Sequence, residues 1–182
     1  MTDAPSSGFS RRWLWFYGAV IAVVVLVKLF VRYNPTPSVA TGYYLHVYEW
    51  MVPGEPAVGG IVAGCVPEGE AADVARERGY LARTWTVCAS GVVPALKRLA
   101  ATGGQTVEVS PEGVSIDGRR VGPPPRTRDS QGRPLDPAYG TWTLGPGERW
   151  LASDHPRGFD SRYFGPTSTH ARAWLLLETD GE

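Results

Sequence analysis

The chain has 182 residues, its 18 Lys and Arg are matched by 18 Asp and Glu, and 43% of its residues are hydrophobic. That length suits one domain with a sizeable core after any membrane segment, and the balanced charge leaves no basic excess for a phosphate backbone, which excludes nucleic acid as the expected partner. Gly (22) and Pro (16) are spread between alternating apolar runs, the pattern of many short strands joined by tight turns, so the expected class is mainly β.

Residues 1–10 (MTDAPSSGFS) are small and polar and read as disordered. From Trp13 to Phe30 the only charge is Lys28, and the run is about long enough for a ~30 Å hydrocarbon layer. A transmembrane helix over 13–31 is expected, with Trp13, Trp15, Phe16 and Tyr17 as an interfacial belt and Lys28 snorkelling at the other end. The competing reading is a cleaved signal peptide, with Arg11 and Arg12 as its basic start; the apolar run is long for that, and no clean small-x-small site follows. Arg11 and Arg12 are nearly balanced by Lys28 and Arg32, so charge counting alone does not orient the span.

Beyond the span, Arg32 to Ser38 reads as a Pro-stiffened exit and Gly42 to Glu49 as a strand. The convincing helix of the domain is Glu70 to Arg78, stopped by Gly79, with a charged face that reads as solvated. Thr106–Ser110 and Val114–Val121 predict a hairpin around Pro111-Glu112-Gly113, with a further turn at Asp117-Gly118. Arg120 to Pro137 should be an exposed loop. Thr141–Leu144 and Arg149–Ser153 predict a second hairpin across Gly145-Pro146-Gly147, and Ala171–Glu178 a final strand that closes the sheet. Trp142, Trp150 and Trp174 fall in these strands and read as core residues or membrane-facing anchors. Local spacing makes Ala95–Ala101 a helix.

Two cysteines, Cys65 and Cys88, lack any CxxC pattern, and the histidines His46, His155 and His170 are scattered, so neither a metal site nor a cofactor is expected. A disulfide between them closes a loop of about 24 residues and stabilises by roughly 3 kcal/mol in an oxidising compartment. That places the carboxyl-terminal domain outside the cytoplasm and the first dozen residues inside; the alternative is a pair of buried free thiols. A Ser-His-Asp triad using His155 and Asp160 is the weaker catalytic reading, because His155 beside Pro156 reads as a surface turn residue.

Four segments together resemble the conjugative-transfer peptidase (TraF) branch of the type I signal peptidase superfamily. Asn34-Pro-Thr-Pro-Ser-Val-Ala-Thr-Gly-Tyr43 is similar to its nucleophile segment and Cys88-Ala-Ser-Gly-Val-Val-Pro-Ala-Leu-Lys97 to its lysine segment. Gly113–Gly118 with Gly132–Leu135 resembles the hairpin and loop that follow, and Phe159-Asp-Ser-Arg-Tyr-Phe-Gly-Pro166 the Asp-Ser-Arg box. The resemblance implies a signal-peptidase-like (LexA-like) β domain with one N-terminal transmembrane helix and one or two short helices. It implies a cytoplasmic tail over 1–12, the span over 13–31, and an extracytoplasmic peptidase domain over 32–182 at the inner (cell) membrane. It also moves Ala95–Ala101 from helix to strand.

By the resemblance Ser38 is the nucleophile and Lys97 its base. The lysine can serve only as a neutral amine, so burial among Val92, Val93, Ala95, Leu96, Leu99 and Ala100 has to lower its pKa from about 10.4 towards roughly 7 or 8. Thr36 and the Ser38 backbone N–H are the implied oxyanion donors, and Asp160 and Arg162, taken as alternate residues of an extended segment, the implied supporting ion pair. Three positions depart from the pattern. Ala40 stands where many relatives have Pro, and Gly158 where they often have a Ser that bonds the lysine. Thr102–Gln105 replaces a Gly-Asp turn and is expected to be neutral. The implied partners are the lipid bilayer and a membrane-bound, pilin-like or leader-bearing precursor, which is cleaved or joined into a ring. A general signal peptidase and an inactive membrane-tethered scaffold are the competing functions.

Overall fold

The computed structural model describes residues 11–82 and 86–179, so the expected disorder over 1–10 lies outside the described residues. Helix α1 (Arg11–Phe30) buries none of its side chains against protein and is long and apolar enough to cross a membrane. Burying such a surface in lipid is the physical use of a helix that is apolar all round. It runs directly into strand β1 (Val31–Asn34), which pairs antiparallel with β2 (Gly42–Tyr48). The expected extended exit is therefore half strand. Tyr48 fixes the junction, its hydroxyl donating to Leu29 O at 3.2 Å and its ring packing edge-on against Phe30.

The remaining strands are β3 (Ile61–Cys65), β4 (Ala95–Thr102), β5 (Thr106–Ser110), β6 (Gly113–Ile116), β7 (Arg119–Gly122), β8 (Gly140–Thr143), β9 (Arg149–Ala152) and β10 (Ser168–Glu178). They build a six-stranded sheet in the order β1-β2-β10-β3-β4-β9 and a four-stranded sheet in the order β7-β6-β5-β8. All named pairings are antiparallel. Two short α-helices, α2 (Glu70–Glu77), followed by Gly79 at φ +69°, and α3 (Ser161–Phe164), and a 3-10 turn over Glu49–Met51 complete the described part of the domain. The mainly β class and the one spanning-length helix agree with the sequence reading.

Two strand expectations need correction. Thr141–Leu144 and Arg149–Ser153 do not form a hairpin: β8 pairs with β5 and β9 with β4, on different sheets. Gly145-Pro146-Gly147 carries the chain across the corner where the sheets meet, and Gly103 lets the two turns approach, since a Cβ there would sit 2.7 Å from Gly145 O. The last strand does not close the sheet either; β10 lies inside it, between β2 and β3. The hairpin of β6 and β7 does form at Asp117-Gly118, both with positive φ as a tight two-residue turn demands.

Trp150 packs with Val107, Val109, Val114, Ile116 and Leu144 where the two sheets meet. Trp142 lies half-buried against that cluster and Trp174 is exposed. In a second cluster Val39, from the loop joining β1 to β2, packs with Tyr44 and Ala173. Cys65 and Cys88 form a disulfide, Cα to Cα 5.3 Å, tying the end of β3 to the segment before β4.

Candidate active site

The loop between β1 and β2 is wound around one side chain. Asn34, buried at the end of β1, donates from Nδ2 to the carbonyls of Thr36 (2.8 Å), Val39 (3.4 Å) and Ala40 (3.2 Å). Its Oδ1 accepts from the Thr36 N–H at 3.3 Å and the Thr36 hydroxyl at 3.0 Å. A single amide thus satisfies backbone groups that a seven-residue turn leaves over, which is why this Pro-rich stretch holds one shape. Tyr44 adds a hydroxyl bond to Ala40 O at 2.7 Å, so the turn is held although residue 40 is not proline. The sequence reading assigns Asn34 no role; an amide followed by Pro35 and Thr36, four residues before the serine, is the available signal.

At the centre of the loop sits Ser38, 8% exposed, and facing it is Lys97, 4% exposed. Nζ lies 2.7 Å from Ser38 Oγ. Lys97 faces inward because β4 is a strand: its burial alternates, with Ala95, Lys97, Leu99 and Ala101 on the buried side. The helical period of Ala95–Ala101 is overridden by pairing with β3 and β9, as tertiary context commonly overrides propensity. Burial lowers the Lys97 pKa from 10.5 to about 8, with Asp160 pulling it up and Arg162 pushing it down. A hydroxyl and an amine at this distance can exchange a proton, and near pH 8 much of the amine is free to accept one.

Thr36 Oγ1 is 3.0 Å from Ser38 Oγ, so the structure brings Thr36, Ser38 and Lys97 together. The loop that carries Ser38 is also held from behind. Ser38 O accepts from the Asp154 N–H at 2.7 Å and from the Ser153 hydroxyl at 3.3 Å, while the Ser153 N–H donates to Asp160 Oδ2 at 2.9 Å. Asp160 is paired with Arg162 by two bonds of 2.8 Å. The pair forms, but not on an extended segment as expected. Asp160 is the N-cap of α3 and accepts from the Arg162 N–H, and Arg162 lies in the first turn, where it can fold back on the cap.

Gly158 has a local explanation: a Cβ there would lie 2.0 Å from Ser153 Oγ. The space of a side chain at 158 is taken by Ser153, and Lys97 still reaches Ser38. The histidines form no triad with Ser38. Asp160 is engaged by Arg162, and His155 Nδ1 accepts from the Arg157 N–H at 3.1 Å. His46 and His170, read as ordinary strand or loop residues, sit on β2 and β10 and line the same groove as Ser38. Burial first, then Arg32 and His170, lower the His46 pKa to about 4.

That groove has a volume of about 1000 Å³ and runs from Leu29 and Arg32, at the end of α1, past Ser38 and Lys97 to Phe159 and Tyr163. An apolar helix long enough to cross a membrane, a β domain of two sheets, and a buried serine and lysine in hydrogen-bond contact beside a long groove have the arrangement that a membrane-anchored serine peptidase would need. The comparisons specify it further: a family model described as signal peptidase, peptidase S26, matches residues 10–172, and the chain belongs to this family, in its TraF branch. It is 36% identical over 164 residues to "Conjugal transfer protein TraF" of Agrobacterium tumefaciens, covering 86% of this chain and 88% of that one. It is 38% identical over 137 residues to "Probable conjugal transfer protein TraF" of Sinorhizobium fredii, covering 74% and 69%. It is 34% identical over 160 residues to "Plasmid transfer protein TraF" of Escherichia coli, covering 82% and 85%.

Proposed function

We propose that this chain is a membrane-anchored serine endopeptidase acting in conjugative transfer, with Ser38 as nucleophile and Lys97 as its base. The observation that carries the reading is the 2.7 Å contact between a buried amine and a buried hydroxyl. Lys97 takes the Ser38 proton as Oγ attacks the scissile carbonyl carbon, and the developing oxyanion is received by the Ser38 N–H and by the Thr36 hydroxyl, whose single hydrogen turns to it from Asn34 Oδ1. Collapse breaks the C–N bond, and the Lys97 ammonium returns its proton to the leaving amine. Water then attacks the acyl-enzyme, giving its proton to Lys97 and releasing the acid, and Ser38 is reprotonated. If a peptide amine attacks instead, the product is a joined or cyclic chain and the proton inventory is the same. Asp160 and Arg162 hold the loop behind Ser38 through Ser153.

The substrate is a membrane-bound, pilin-like or leader-bearing precursor. The groove begins at Leu29 and Arg32, beside the end of the apolar helix, so it suits a chain emerging from the bilayer. Residues 13–31 span the inner membrane, 1–12 lie in the cytoplasm, and 32–182 lie on the periplasmic or extracytoplasmic side, where the Cys65–Cys88 disulfide is stable. Co-expression of wild type, Ser38→Ala and Lys97→Ala with a candidate pilin-like precursor, read by intact mass spectrometry, tests the proposal. The account expects a trimmed product with wild type alone, and a mass lower by one further water if the ends are joined. Equal processing by all three proteins would overturn it and leave the scaffold reading.

A further inference from the structure

The groove carries a charge that the chain as a whole does not. Among the described residues lining it are Arg32, Arg126, Arg128 and Arg157, against a single carboxylate, Asp129, in a protein with no net charge. That carboxylate is already engaged: Tyr80 donates to it at 2.5 Å and Arg133 at 2.6 Å, and the backbone N–H groups of Gln131 and Arg133 at 2.9 and 3.0 Å. Burial pushes its carboxyl up, but these bonds outweigh burial and hold it well below the usual carboxylate range. Six other arginines of the described residues are in ion pairs. Arg126, Arg128 and Arg157 have no carboxylate partner among the described residues, and all three are exposed and line the groove at the end formed by the Tyr80, Phe159 and Tyr163 rings, where the Arg126 N–H donates to the Tyr163 hydroxyl at 3.0 Å. Arg128 is held in place by donating to Gly132 O at 2.7 Å.

We infer that this end of the groove binds a peptide segment bearing carboxylates, with Arg126, Arg128 and Arg157 as its specificity-determining residues. The inference rests on the peptidase reading for the identity of the occupant as a peptide. Guanidinium groups pair with carboxylates in planar two-pronged geometry, and three free ones beside a channel raise the local concentration of an acidic chain. The carboxylates are side chains of the substrate or its free carboxyl terminus, and the chemistry is the same. Three exposed pairs, each at the strength of surface ion pairs, compound to roughly tenfold in affinity at low salt.

The test uses the full chain in detergent micelles with Ser38→Ala, so that binding is read without turnover. Fluorescein-labelled peptides of Ala, Ser and Gly carry three Glu or three Gln and an amidated end, and a fourth form has Gln with a free carboxyl terminus. The Glu peptide is expected to bind roughly tenfold tighter than the amidated Gln peptide at about 50 mM salt, with the advantage lost near 500 mM. Arg126→Gln, Arg128→Gln and Arg157→Gln combined should bring the Glu peptide to the Gln level. A gain by the free-acid peptide identifies the terminus as a source of the carboxylate. Equal binding of all peptides, or a Glu preference that survives in the triple variant, overturns the inference. Because binding needs no catalysis, a chain that processes no precursor in the co-expression test fails the peptidase reading without deciding this one.

Discussion

Replacing Lys97 with Met should abolish peptidase activity and at the same time stabilise the protein. The fall of the Lys97 pKa from 10.5 to about 8, at ~1.4 kcal/mol per pH unit, means that burying this amine costs about 3 kcal/mol at neutral pH. Met fills nearly the same volume with no charge to desolvate, but the bond to Ser38 Oγ is lost, at about 1 kcal/mol. The net expectation is a gain of about 2 kcal/mol at pH 7. The sign follows from proton binding: between pH 8 and 10.5 the unfolded chain holds a proton on Lys97 that the folded chain has released, so wild-type stability rises with pH across that window. Below about pH 8 the cost is constant, and above 10.5 it vanishes, because the amine is neutral in both states. Thermal melts of both proteins in the same detergent, disulfide intact, should show the variant about 4 to 8 °C higher at pH 7, with the gap shrinking towards pH 10.5. A variant less stable than wild type at pH 7, or a gap independent of pH, would refute the claim that burial lowers the Lys97 pKa.

Thr36→Val, which keeps the shape and removes the hydroxyl, should slow cleavage roughly 10- to 1000-fold with little change in KM; full activity would remove Thr36 from the mechanism. Gly158→Ser should not improve the enzyme, since its Cβ would lie 2.0 Å from Ser153 Oγ. A loss of about 1 to 3 kcal/mol in unfolding free energy, measured by denaturant titration, is expected, recovered in part by adding Ser153→Gly; an unaffected single variant would contradict the packing described. Cys88→Ser should cost about 3 kcal/mol in the same assay by opening the loop between Cys65 and Cys88, and an unchanged midpoint would show that the bridge contributes nothing.

The parts legible in the sequence were those fixed by local chemistry or by period. The long apolar helix follows from a run whose single charge is Lys28, the β6–β7 turn from Asp117-Gly118, and the end of α2 from Gly79. Strand partners were not legible in the same way. The turn at Gly145-Pro146-Gly147 looks like a hairpin from its composition, yet whether flanking strands pair with each other or with β4 and β5 is decided by the corner between two sheets. The meeting of Ser38 and Lys97 was also out of reach of periodicity, because a 59-residue separation is bridged only by tertiary structure. Spacing even gave Lys97 the wrong element, and the resemblance of its segment to a known strand corrected that. Asn34 and Ser153 were missed for a related reason: each acts through hydrogen bonds to backbone groups around Ser38, and the sequence marks at most a polar residue near Pro or at a strand end, not the backbone groups it reaches.

The chain holds only two lysines, Lys28 and Lys97, which allows the central claim to be measured directly. Lysine labelled with carbon-13 at Cε gives two resonances in the detergent-solubilised protein, and Lys28→Arg assigns them. The account predicts that the Lys97 resonance titrates with a midpoint of about 8, and that the acid limb of kcat/KM for precursor cleavage follows the same curve. A Lys97 midpoint at the ordinary lysine value of 10.5 would contradict it.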